Sequence, residues 1–179
     1  MKQILPLLCL SALLLTSCSK SSSPTSNNNT NGGGNNAATN QVLATVDGKA
    51  ITFKTLGNSG SYASGIASFA IAGIDSVSGI SFAIGGGGFI TSGTYDLGLQ
   101  SISPAYAFAV SYNYTSGGDS FSYGSNSSNT SKVGTITISS ISATGAKGTF
   151  TATLPLLSGA SGAPSTVTIT NGQFNVSFQ

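Results

Sequence analysis

The chain contains no histidine, glutamate, arginine or tryptophan; its only carboxylates are Asp47, Asp75, Asp96 and Asp119, and its six cationic side chains are all lysines. Each absence removes a class of chemistry. General acid and base catalysis draws on His or on paired carboxylates, and a nucleophilic Ser or Thr needs a base beside it. Four aspartates scattered along the chain make no such pair, and no motif points to a Ser–Lys arrangement through Lys54, Lys132 or Lys147. The reading is non-enzymatic. Zinc and copper call for His or Cys, and the aspartates lack the spacing of a calcium loop, so neither a metal nor a cofactor is expected. Gly85-Gly86-Gly87-Gly88 is not followed by the lysine of a P-loop, which leaves it as a turn or bulge between strands.

Charge is scarce too. Only 6% of residues are charged, against roughly 25% in an average soluble domain. Beyond the first seventeen residues, five lysines face four aspartates. That balance has no basic stripe and excludes nucleic acid as a partner. The two cysteines are Cys9 and Cys18. Since Cys9 lies in a segment that reads as a removable leader, the mature fold is expected to have no disulfide and to hold together through its core.

That leader is the most specific feature present. Lys2, an apolar run from Ile4 to Leu15, and small residues before a cleavage point are the parts of a secretory signal. The run is too short for a membrane-spanning helix, which needs about 20 residues. Leu15-Thr16-Ser17-Cys18 resembles the lipobox of bacterial lipoproteins, where processing acylates the cysteine and cuts before it. The expectation is a palmitate-type lipid anchor on Cys18 and a place in the outer membrane, with the periplasmic or cell-surface side left open. Residues 1–17 are then the signal peptide. Residues 18–40, rich in Ser, Asn and Gly, read as a disordered tether whose ends lie roughly 25 Å apart. Residues 41–179 form the folded domain.

Strand patterns fill that domain. From Ala105 to Tyr114 small or polar residues alternate with large ones, which puts Tyr106, Phe108, Val110, Tyr112 and Tyr114 on one face. Asp47-Gly48 suits a two-residue hairpin turn that sets Val42 opposite Phe53 and Ala44 opposite Ile51. Asn171-Gly172 carries the same signal and predicts a second hairpin, with Ile169 facing Phe174 and Val167 facing Val176. Further strands are expected over 66–72, 79–84, 89–97, 133–141 and 148–154. Tyr62, Ile66, Phe69 and Gly73 also fit helical spacing, but Gly65 and the serines oppose a helix. About nine short strands make an all-β domain, a single antiparallel β-sandwich or Greek-key barrel.

Val46-Asp47-Gly48-Lys49, Gly93-Thr94-Tyr95, Gly134-Thr135-Ile136-Thr137-Ile138, Gly148-Thr149-Phe150 and Val167-Thr168-Ile169-Thr170-Asn171-Gly172-Gln173-Phe174 run in order through the domain. With these the chain resembles a family of small lipoproteins of unknown function from Bacteroidota-type bacteria. The resemblance implies an all-β exported domain and supplies no catalytic residues.

Binding is the function class left standing. Tyr106, Tyr112, Tyr114 and Tyr123, with a polar loop over 116–131, offer an aromatic platform for a sugar ring or a protein partner; the other reading makes these tyrosines the inward core or its rim. Asp75-Ser76-Val77 resembles a short O-glycosylation signal with Ser76 as acceptor. Low charge also leaves sheet edges unguarded, so self-association into a structural or matrix component is the alternative. The expectation is a lipid-anchored envelope protein that serves as a non-catalytic binding or interaction module, its partner an unnamed protein or glycan.

Overall fold

The computed structural model describes residues 35–55, 67–86, 90–98, 100–102, 105–125 and 131–178. Within strands, the side chains of residues 67–69, 84–86, 100–102 and 105–107 lie outside the description. The leader, Cys18, the tether up to residue 34 and the expected strand start at Ile66 fall outside the described residues, as do Gly87 and Gly88.

Eleven strands and no helix are present among the described residues: β1 (Gln41–Val46), β2 (Lys49–Thr55), β3 (Ala67–Ile74), β4 (Ser78–Gly86), β5 (Gly93–Leu97), β6 (Gln100–Ile102), β7 (Ala105–Ser116), β8 (Asp119–Gly124), β9 (Gly134–Ser142), β10 (Gly145–Ser158) and β11 (Thr166–Ser177). All pairings are antiparallel. Eight strands close on themselves in the order β1-β2-β3-β4-β7-β8-β10-β11 and back to β1. This corrects the expected sandwich or Greek-key barrel. Once β5, β6 and β9 are set aside, barrel neighbours follow chain order, so the connectivity is up-and-down.

The expected strands over 89–97 and 133–141 correspond to β5 and β9, and the two strands that local patterns missed are β6 and β8. β10 is fourteen residues long; one edge pairs with β11 along most of its length, while the other pairs first with β9 and then, at Leu156 and Ser158, with β8. β9 and β5 therefore continue the wall beside β10, with Leu97, Ile136 and Ile138 buried in the core. Tyr95 of β5 stacks on Phe108 of β7, with ring centroids 5.0 Å apart. β6 is a short addition to β7.

Hairpin register follows the apolar pattern at β1–β2: Val42 pairs with Phe53 and Ala44 with Ile51, around a turn in which Asp47 and Gly48 both take positive φ. At Asn171-Gly172 the expectation fails. β11 runs straight through as one strand, and Asn171, at φ 52°, is an extra residue opposite both β10 and β1. It is a β-bulge. Val167 and Ile169 are buried before it, and Gly172, Phe174 and Val176 after it. The inserted residue shifts the inward parity from odd to even and keeps the apolar residues in the barrel.

The interior is filled by side chains rather than left as a channel. Phe53, Phe82, Phe150 and Phe174 are all buried, and Phe82 meets Phe150 edge-on at 4.5 Å. Across β10 and β11, Gly148 pairs with Phe174 and Gly172 with Phe150. Each ring lies over a glycine that has no side chain to displace it.

The N-terminal approach also departs from expectation. Residues 35–40, assigned by composition to the tether, are pinned to the barrel: Asn35 Nδ2 donates to the Gly148 and Phe174 carbonyls, Asn175 Nδ2 donates to the Ala37 carbonyl, and Asn40 Oδ1 accepts from Ser177 N–H. Ala37 is buried. Short polar side chains here satisfy backbone groups of β10 and β11, which composition alone does not reveal.

Candidate functional site

An up-and-down barrel gathers alternate turns at each end. The β1–β2 turn at Asp47-Gly48, the β3–β4 turn over 75–77, the β7–β8 turn at Gly117-Gly118 and the β10–β11 loop over 159–165 lie at one end, called here the mouth. The opposite end receives residues 35–40 and carries Lys54 and Lys147. Three of the four aspartates, Asp47, Asp75 and Asp119, sit in or beside the turns of the mouth, with Lys49 the lysine among them.

Between these turns the packed core gives way to a cavity of about 430 Å³. Its inner wall is made by Val46, Ile51, Ser78, Tyr112, Tyr114 and Val167, and its rim includes Asp47, Lys49 and Asp75. β7 supplies the aromatic side because Phe108, Val110, Tyr112 and Tyr114 do share its inward face, as alternation requires. Tyr106 holds the same face position by register, opposite Gly86, but its side chain is outside the description.

Tyr112 and Tyr123 are directly paired across β7 and β8, as are Tyr114 and Phe121. Tyr114 stacks on Phe121 at 4.7 Å and lies parallel to Tyr123 at 6.1 Å. Thus three of the four tyrosines named from sequence form one cluster, in graded positions. Tyr123 is buried, with its hydroxyl donating to the Pro164 carbonyl at 3.2 Å; burial, together with the neighbouring Tyr114 hydroxyl, pushes its phenol up to about 12. It is core. Tyr112 is also buried, and that burial raises its phenol above the ordinary value, helped by the Asp75 carboxylate. Tyr114 is half-buried and is the ring that the cavity reaches most openly. Of the two readings of these tyrosines, platform or inward core and rim, the structure places Tyr112 and Tyr123 in the core and Tyr114 half-buried at its rim.

The polar side was not singled out from sequence. Asp75 Oδ1 accepts from Val77 N–H at 2.8 Å, from Ser78 N–H at 2.6 Å and from the Ser78 hydroxyl at 2.9 Å. Burial pushes the carboxyl up, but these bonds outweigh it, and with Lys49 they hold Asp75 below its ordinary value. Ser78, the buried polar residue among those described, lines the cavity with Tyr112 and so sets the Asp75 carboxylate's partner beside the ring. The signal in the sequence was Asp at the first position of a turn and Ser three residues on, between two strands. Ser76 is exposed on that turn.

Within the expected polar loop over 116–131, a hairpin at Gly117-Gly118, both with positive φ, leads into β8 over 119–124, and residues 126–130 lie outside the described residues. Among the described residues, no group of three or more His, Cys, Asp and Glu side chains converges to hold a metal. Chemically, the mouth offers an aromatic face, apolar walls and a fixed carboxylate next to an amine. No protein-family model, no curated protein and no solved structure matches the chain.

Proposed function

We propose that this chain is a lipid-anchored lipoprotein of the bacterial envelope, held in the outer membrane through Cys18, whose barrel mouth is a non-catalytic binding site. The observation that carries the binding reading is the mouth cavity, with Tyr112 and Tyr114 on one side and Asp75, Ser78 and Lys49 on the other. Small-molecule and side-chain sites are concave and set a few fixed polar groups among apolar walls; this one sets Asp75, Ser78 and Lys49 against Val46, Ile51, Tyr112, Tyr114 and Val167. The leader and Leu15-Thr16-Ser17-Cys18 carry the location. Residues 35–40 reach the barrel at the end opposite the mouth.

Two measurements test the reading. Radiolabelled palmitate should enter the protein in growing cells and be absent from Cys18→Ser. Tyrosine emission, free of tryptophan interference, should respond to saccharides or peptides that enter the mouth and lose that response in Tyr114→Ala. A chain whose tyrosine signal ignores both ligand classes would sink the binding reading.

A second reading, self-association, rests on a sheet edge: among the described residues, β6 pairs with β7 and with no other strand. Light scattering that finds a concentration-independent monomer would exclude it.

A further inference from the structure

The barrel wall is incomplete beside the mouth. β2 and β3 pair only through Lys54 with Ile74 and Thr55 with Gly73. Because Asp75 already begins the β3–β4 turn, residues 49–53 of β2 extend past the end of β3. The two-residue turn fixes which backbone groups point where. It closes on the pair Val46 and Lys49, so Lys49, Ile51 and Phe53 bond to β1, and Ala50 and Thr52 direct their N–H and C=O groups to the other edge. No described residue pairs with that edge at Ala50 or Thr52. Both residues are exposed. The mouth cavity opens alongside, with Lys49 and Ile51 in its lining.

We propose that this edge is a docking strand for an extended peptide that adds to the barrel beside β2 and places a cationic side chain in the mouth; the proposal deepens the binding reading above and rests on it. Two donors and two acceptors at strand spacing match a peptide backbone and have no counterpart in a sugar ring. Strand addition takes its affinity from such main-chain bonds and its specificity from pockets for alternate side chains. The pocket here sets a half-buried Tyr114 ring against Asp47 and Asp75, with Lys49 the only lysine lining it. A guanidinium or ammonium group can lie on the tyrosine face while facing the carboxylates.

The test uses the full-length isotope-labelled protein in detergent. The probe is a capped heptapeptide, Thr-Val-Thr-Arg-Thr-Val-Thr, with a twin carrying Glu at its centre and a third version N-methylated at the amides that would face β2. Addition of the arginine peptide should slow amide exchange at Ala50 and Thr52 at least tenfold and shift the Tyr114 ring signals. The Glu twin should bind at least tenfold more weakly, and N-methylation should abolish binding. Ala50→Pro, which removes one edge donor and leaves the bonds to β1 in place, should lose at least tenfold in affinity. If that variant does not fold, the N-methylated peptide carries the same test with the protein untouched. Unchanged exchange at Ala50 and Thr52, or equal binding of the N-methylated peptide, overturns the proposal. Should neutral oligosaccharides then shift Tyr112 and Tyr114, the mouth remains a binding site; silence toward both classes removes that reading as well.

Discussion

Replacing Gly148 with alanine tests the packing of the barrel at a point of close strand approach. Gly148 lies on β10 between β9 and β11, paired with Ile138 on one side and Phe174 on the other. A Cβ there would run into the Thr137 carbonyl oxygen and the Phe174 ring, whose Cε1 would lie 2.7 Å away. The ring cannot swing freely, since Phe174 is fully buried, and the carbonyl belongs to the backbone of a paired strand. Overpacking a filled core costs roughly 1–3 kcal/mol, and a backbone obstacle puts this site at about 3 kcal/mol. With a urea slope of about 2 kcal/mol per molar for a domain of this size, the unfolding midpoint should fall by about 1.5 M. Gly79→Ala is the matched control on β4: its Cβ would have Ile74 Cγ2 at 3.5 Å, ordinary contact. Its midpoint should hold or rise slightly, because alanine lowers unfolded-chain entropy by up to about 1 kcal/mol. Urea melts of the 33–179 unit read both. A Gly148→Ala midpoint within about 0.3 M of the parent would show that β9, β10 and β11 are not packed as described.

Other expectations follow from single residues. Deleting Asn171 removes the bulge and throws either Val167 and Ile169 or Phe174 and Val176 out of the core; the variant should lose near-ultraviolet dichroism and amide dispersion, whereas Asn171→Gly, which suits the positive φ of 52°, should keep both. Asp75 is held below its ordinary value in the folded state, so its contribution is complete above the unfolded carboxyl range and is lost as pH falls through the lower folded value. The urea midpoint should therefore drop below about pH 4, and Asp75→Asn should flatten that part of the profile; a profile unchanged by the substitution would remove Asp75 from the account. Tyr123 is raised from 10.0 to about 12, so the unfolded chain releases its proton first as pH climbs and stability should fall between those values. Phenolate absorbance should show a tyrosine that titrates at about 12 and is abolished by Tyr123→Phe.

Much of the wall was legible locally, and its closure was not. The β1–β2 register could be read because two independent signals agreed, the Asp-Gly turn and the facing of Val42, Ala44, Ile51 and Phe53. The inward face of β7 was equally plain, because Phe108, Val110, Tyr112 and Tyr114 hold period two without interruption. Asn171-Gly172 misled for a physical reason: a two-residue turn and a one-residue bulge both tolerate positive φ and both switch apolar parity from odd to even. Only the partners across the strand distinguish them. β8 was hidden by the surrounding Ser, Gly and Asn, although Phe121 and Tyr123 two residues apart marked its inward face. The fork of β10 between β9 and β8 is a long-range choice with no local signature. The same holds for the site. The tyrosines were visible as a pattern, but which of them is core and which is rim depends on where the barrel ends. Asp75 was read only within a short O-glycosylation signal, and it became part of a site when folding set it and Ser78 beside Tyr112.

The central claim, that the mouth is the working end of the domain, is tested most directly by photocrosslinking in living cells. A benzophenone side chain at Thr115, exposed on the mouth rim, is compared with one at Lys147, exposed at the opposite end. The account predicts discrete adducts from position 115, reduced in a Tyr114→Ala background, and none of the same mass from position 147. Adducts that form equally from both ends, or from position 147 alone, would contradict it.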